Sequence, residues 1–167
     1  SPIAPKFNII SKPNEWSKSV SQIAQRVEGG GMTPSQELYL NFWTAFHNYL
    51  ANLDGPITPL KPSPDHWTDF SIGRSGFLVR AFLSVQYDRV GLALVIYPPD
   101  AKEHYYLLEA DKQQIEAETR ERLEWRPLPN NKESQIRLLK FDIGLNNEEN
   151  WPKIFGWIAD HLETFNK

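Results

Sequence analysis

The run His66–Tyr97, "HWTDFSIGRSGFLVRAFLSVQYDRVGLALVIY", decides the fold. It reads as three strands, Trp67–Ile72, Phe77–Gln86 and Arg89–Tyr97, because aromatic and aliphatic residues dominate and short polar or glycine-bearing breaks separate them. In the second strand Phe77, Val79, Ala81, Leu83 and Val85 alternate with Leu78, Arg80, Phe82, Ser84 and Gln86. A period of two sends these sets to opposite faces of a sheet. The breaks are too short for a parallel crossover, so the strands form antiparallel hairpins.

Gly73-Arg74-Ser75-Gly76 joins the first two strands. Glycine accepts the positive φ that tight turns require, so a plain hairpin turn explains the string. The same composition suits a loop whose amides and Arg74 hold an anion such as phosphate. It is less specific than a P-loop, and no helix begins just after it.

Outward from this core, Thr33-Pro34-Ser35-Gln36 is a helix start with a cap, a first-turn proline and a capping-box glutamine. The helix is predicted to reach about Leu53, with one stripe of Leu38, Phe42, Ala45, Tyr49 and Leu53 and a second of Tyr39, Trp43, His47 and Leu50. Before it, residues 1–31 read as an arm with one amphipathic helix at 15–28, ended by Gly29-Gly30-Gly31. Pro98-Pro99 ends the third strand, and Asp100 is predicted to cap a helix of about 19 residues with an inner stripe of Ala101, Tyr105, Leu108 and Ile115. Leu123–Arg126 and Gln135–Phe141 are two further strands, joined by a turn-rich loop, Pro127–Asn131. A last helix at about 152–165 turns Ile154, Phe155, Ile158, Leu162 and Phe165 inward, with Trp157 and His161 on a flank. The expected fold is α+β: a mainly antiparallel sheet of about five strands with helices on one face, forming a single domain over 32–167.

The bulk numbers restrict function. The chain has 167 residues, 40% hydrophobic content and six Trp, enough for a sizeable core without a staple. No Cys is present, so thiolate zinc sites and disulfides are excluded, and the four His show no i, i+4 pairing on a helix. No metal or cofactor is called for. A net charge of −3 argues against a uniformly basic nucleic-acid binder but leaves room for a local patch. No apolar run approaches a membrane span and no signal peptide opens the chain, which points to the cytoplasm. The only Met is Met32, so the sequence reads as a piece of a longer protein.

Candidate ligand contacts are Gly73, Arg74, Ser75 and Gly76, then Arg80, Trp43, His66 and Trp67. His66-Trp67 and the Trp43/His47 pair fit core packing; if they converge with Arg74 they bound a pocket. An enzyme or sensor built there needs His47 or His66 beside a carboxylate such as Asp65 or Asp69. A metal-nuclease site is poorly supported: Asp100-Ala101-Lys102 has the letters, but Asp100 stands at a helix start. Ser75 lacks the Gly-x-Ser-x-Gly elbow. Arg80, Arg89, Arg126, Arg137 and Lys140 form a basic stripe if one sheet face carries them, with Phe82 and Tyr97 beside them as stacking groups. A face that mixes acids with these bases counts against nucleic-acid contact.

Four strings, "ELYLNFWTAFHNYL" (37–50), "HWTDFSIGRSGF" (66–77), "LEWRPLP" (123–129) and "NWPKIFGWIADHLETF" (150–165), together resemble a bacterial and archaeal domain of unknown function over about residues 35–166. That domain commonly follows a half resembling a PD-(D/E)xK endonuclease, and "SKPNEWSKSV" (11–20) looks like the connector between them. The resemblance implies that any nuclease core lies upstream, and it assigns no function to this half. The expected role is a non-catalytic recognition or interaction module, with nucleic acid, an upstream nuclease-like half or a second copy of itself as partner. The alternative is a small-molecule sensor or stand-alone enzyme with a pocket near Trp43, His47, His66 and Arg74.

Overall fold

The structure, a computed structural model, describes residues 31–53 and 61–165. The chain divides into two compact units, Ser1–Thr68 and Asp69–Lys167. The arm helix expected at 15–28 lies outside the described residues.

In the first unit, α1 spans Pro34–Ala51. Its start is the expected capping box: Thr33 N–H donates to Gln36 Oε1 at 2.9 Å, and Gln36 N–H donates to Thr33 Oγ1 at 3.2 Å. Such a box removes two orphan donors, and its cap is worth about 1 kcal/mol. Burial runs around the helix through Leu40, Phe42, Trp43, Thr44, Ala45, Phe46 and Leu50, wider than the two expected stripes, while Leu53 past the helix end is exposed. Trp43 meets Phe42 edge-on at 5.1 Å between ring centres.

Five strands form one sheet: β1 (Trp67–Ser71), β2 (Phe77–Ser84), β3 (Arg89–Ile96), β4 (Glu124–Arg126) and β5 (Ser134–Phe141). The order is β1-β2-β3-β5-β4, so the chain leaves β3, crosses to the far edge for β4 and returns by hairpin to the inner place beside β3. The β2/β3, β3/β5 and β4/β5 pairs are antiparallel. The five-residue link from β1 to β2 permits only the same sense.

The predicted 19-residue helix is two helices, α2 (Ala101–Ala110) and α3 (Lys112–Thr119). Asp111 breaks it, with φ −102° and ψ 18° and its N–H turned back to Leu108 O. Asp is a poor interior residue because its short carboxylate competes for nearby backbone groups. Asp100 does not cap as expected; its side chain makes no cap hydrogen bond. A short 3₁₀ turn, Glu148–Asn150, leads into α4 (Trp151–Phe165).

One sheet face meets helices. Ile96, Ile136 and Leu138 pack with Ala101 and Tyr105 of α2 and with Leu123, joined by Trp125, Ile115, Trp157 and Phe165. Trp157 is partly buried, packing against this cluster and beside His161 as a flank residue. Each fully buried Ile or Leu here contributes about 1.5–3 kcal/mol of transfer free energy. Among the described residues, no helix is long and apolar enough to cross a membrane.

Candidate functional site

The register fixes what stands on the opposite face. Arg80 lies across from Ala93, Ala93 from Arg137, and Arg137 from Glu124, giving one row across four strands. The next row toward the end of β3 is Leu78, Val95, Gln135 and Arg126. In the other direction come Phe82, Gly91 and Leu139, then Ser84, Arg89 and Phe141. Cross-strand partners share a face, so Arg80, Arg89, Arg126 and Arg137 occupy one surface with Phe82 and Phe141. Lys140 does not join them; it pairs with Val90, one step out of phase, and belongs to the helix side.

The centre of this face is built from small residues under large ones. The Phe82 ring lies over Gly91, where an added Cβ would stand 2.2 Å from Phe82 Cζ. The Arg137 guanidinium lies 5.3 Å from the Phe82 ring centre and roofs it. Arg89 sits 5.1 Å from the Tyr87 ring and 5.9 Å from the Phe141 ring. Tyr87 and Phe141 are themselves 57% and 51% exposed.

Two carboxylates enter the array. Asp69 takes both arms of Arg80, Nε to Oδ1 at 2.7 Å and one terminal nitrogen to Oδ2 at 3.0 Å. That hydrogen bond raises the Arg80 pKa above its ordinary value. Glu124 receives one Arg137 nitrogen at 2.9 and 3.1 Å and lies 3.5 Å from Arg126 Nε. Burial, then the Arg126 charge, lowers the Arg137 pKa against the pull of Glu124, with Arg89 adding to the repulsion. Among the described residues Arg89 makes no ion pair, and the Nε atoms of Arg89 and Arg137 are buried without an acceptor. The face is thus mixed, four arginines against Asp69 and Glu124, with an excess of two positive charges.

Beyond the Leu78–Val95 row the face opens into a broad, shallow groove of about 590 Å³. Leu78, Arg80, Val95, Tyr97 and Pro98 line it from the strands, and the loop residues Asn131, Lys132 and Glu133 complete the lining. This loop is anchored by Lys102. Its ammonium donates to the carbonyls of Pro127 at 2.5 Å, Leu128 at 2.7 Å and Glu133 at 2.9 Å, and reaches Ser134 Oγ at 2.9 Å. This Lys is a loop anchor, which removes it from any metal-nuclease arrangement with Asp100. Among the described residues no cluster of three or more His, Asp and Glu could hold a metal.

Gly73-Arg74-Ser75-Gly76 is a hairpin turn. Phe77 N–H bonds to Arg74 O at 3.2 Å, and Gly76 has φ +85°, a conformation L side chains rarely adopt. Gly73, Arg74 and Ser75 are exposed. The turn touches the groove indirectly, since Gly76 O accepts Tyr97 N–H at 3.0 Å.

Of the remaining expected contacts, Arg80 lines the groove, while Trp43, His66 and Trp67 lie in the first unit. Trp43 is 3% exposed and its indole N–H donates to Asp65 O at 2.8 Å, an interior placement rather than a stacking platform. His66 is exposed and stands 6.3 Å from the Tyr39 ring. The carboxylates named for an acid–base pair have other roles: Asp69 holds Arg80, and Asp65 accepts from Ser63 Oγ at 3.1 Å. A histidine–carboxylate contact does occur at His161 and Glu121, 3.0 Å apart. Asn131, Lys132 and Glu133 had no signal in the sequence beyond a turn-rich loop, because only chain folding brings that loop to the end of β2 and β3.

A family model described as "Domain of unknown function (DUF4268)" matches residues 38–167. No curated protein and no solved structure matches the chain.

Proposed function

The chain belongs to the DUF4268 family, and from that premise we propose that it is a non-catalytic recognition module that binds single-stranded nucleic acid across the arginine–aromatic face of its sheet. In this reading it is the C-terminal part of a nuclease-like protein whose upstream half supplies the chemistry. The carrying observation is the shared face of Arg80, Arg89, Arg126 and Arg137 with exposed Tyr87 and Phe141. Arginine meets phosphate with planar forks, and exposed rings stack on bases regardless of sequence. The chain as a whole carries −3, so this local excess is a distribution of charge rather than a consequence of composition. Asp69 and Glu124, paired with Arg80, Arg126 and Arg137, count against nucleic-acid contact; the reading rests on the two positive charges left in excess and on the exposed rings.

The experiment is a titration of labelled single- and double-stranded oligonucleotides at several salt concentrations, beside the double variant Arg89→Ala/Arg126→Ala. An excess of two charges predicts a log–log salt slope of roughly −1.4 for a single strand. The double variant flattens that slope and weakens binding. No binding at low salt, or binding equal in the double variant, removes the proposal.

A further inference from the structure

The groove at the end of the arginine face has a composition that phosphate contact alone does not explain. It is continuous with the face through Arg80, which belongs to both. Its strand lining is apolar at Leu78, Val95 and Pro98, with Tyr97 38% exposed beside them. Its volume of about 590 Å³ is ample for one nucleobase with its sugar. The loop lining offers an amide at Asn131, a cation at Lys132 and a carboxylate at Glu133. Through Oε2 that carboxylate accepts from Gln135 Nε2 at 3.3 Å, and its charge acts on Arg80, yet it repels a phosphate backbone.

A carboxylate beside an apolar, ring-bearing lining has a different chemical use. It accepts hydrogen bonds from an exocyclic amino group, as Glu and Asp do from cytosine N4, while an Asn amide pairs with the adenine edge. The loop is also held in advance. Lys102 ties the carbonyls of Pro127, Leu128 and Glu133, and Ser134 Oγ donates to Pro127 O at 2.6 Å. On the strand side, the Tyr97 backbone is tied to Gly76 O. A site whose two sides are fixed before the ligand arrives discriminates by geometry. Arg80, clamped by Asp69, and Lys132, which makes no ion pair among the described residues, both line the groove and put positive charge beside it.

We infer that this groove is a base-reading subsite of the strand-binding face: one base stacks on Tyr97 and donates its exocyclic amino group to Glu133, so cytosine and adenine are preferred over thymine and uracil. This rests on the strand-binding reading above. Glu133 is the specificity-determining residue, and Asn131 completes the edge contact.

The test measures affinities of equal-length oligo-dC, oligo-dA and oligo-dT for the wild-type chain, for Glu133→Gln and for Arg89→Ala/Arg126→Ala. The expected wild-type result is a preference for dC and dA over dT on the order of tenfold. Glu133→Gln narrows that ratio while oligo-dT affinity stays the same. The arginine variant weakens all three strands together and keeps the ratio. Equal wild-type affinities, or a ratio that Glu133→Gln leaves unchanged, overturn the base-reading subsite and leave the strand-binding face standing. Absence of binding to any strand overturns both.

Discussion

Lys102 on the first turn of α2 donates to the carbonyl oxygen of Glu133 at 2.9 Å, across 31 residues of sequence. With Pro127 O, Leu128 O and Ser134 Oγ it completes a ring of four acceptors around one ammonium. An apolar replacement removes the charged donor from Glu133 O, while Pro127 O keeps Ser134 Oγ and Leu128 O keeps the Asn131 N–H. A part-buried acceptor left unpaired costs about 1–3 kcal/mol, and the lost charge-assisted bonds add to that. Lys102→Met is therefore expected to lower stability by about 2–4 kcal/mol in chemical denaturation. Amide exchange should accelerate over residues 128–133 while β2 and β3 stay protected. A change spread evenly over the sheet would show that Lys102 is not a local anchor. Lys102→Arg is not expected to restore the wild type, because a planar fork does not fit a ring of acceptors around a point.

Arg80 and Asp69 form a two-point ion pair whose side chains are only 27% and 20% exposed. Partial burial raises the worth of such a pair above that of an open surface pair, and its forked geometry adds to this. A double-mutant cycle with Asp69→Ala and Arg80→Ala is expected to give a coupling of about 1–2 kcal/mol that high salt only partly removes. Coupling near zero would place both residues among ordinary surface charges.

Gly91 is required by a neighbour rather than by its backbone. Its missing Cβ makes room for Phe82, whose ring atoms would stand 2.2–2.7 Å from that carbon. Gly91→Ala should cost about 1–3 kcal/mol through overpacking. Phe82→Leu in the same chain should recover part of that loss, because a smaller side chain opens the space. Additive losses in the double variant would contradict this contact.

Glu116 accepts the Leu123 backbone N–H at 2.9 Å and lies 3.4 Å from the Trp125 indole nitrogen, tying the end of α3 to β4. The Leu123 hydrogen bond is the largest cause of its lowered pKa, below the ordinary 4.5. A carboxylate whose folded pKa is depressed stabilises the fold above its unfolded pKa and loses that contribution as pH falls through the folded value. The Glu116 contribution is thus complete above about pH 4.5 and disappears below it. Glu116→Gln should be less stable than wild type at neutral pH, with the two curves converging in acid. Parallel curves down to acid unfolding would exclude this role.

The local pieces were legible before the fold was known. Thr33 and Gln36 state a helix start in four residues, and the alternation from Phe77 to Ser84 states a strand with two faces. The inner stripe of Ala101, Tyr105, Leu108 and Ile115 also reached the core as its spacing implied. Asp111 was the local exception, since an otherwise continuous helical pattern hid a break that depends on one backbone competition.

The site was far less legible. That Arg80, Ala93, Arg137 and Glu124 form a row is a statement about register, and a slip of one residue would send each of them to the other face. Lys140 is excluded by alternation alone, since it stands three residues from Arg137 on one strand and so faces the other way. Lys102 offered only a false motif until the loop it holds came within reach. By itself the sequence determined the elements and the α+β class, because caps, turns and periodicity act over a few neighbouring residues. Only the tertiary structure decided the sheet order, the common face of the arginines and the groove at its end, because those depend on pairings between distant segments that no local pattern encodes.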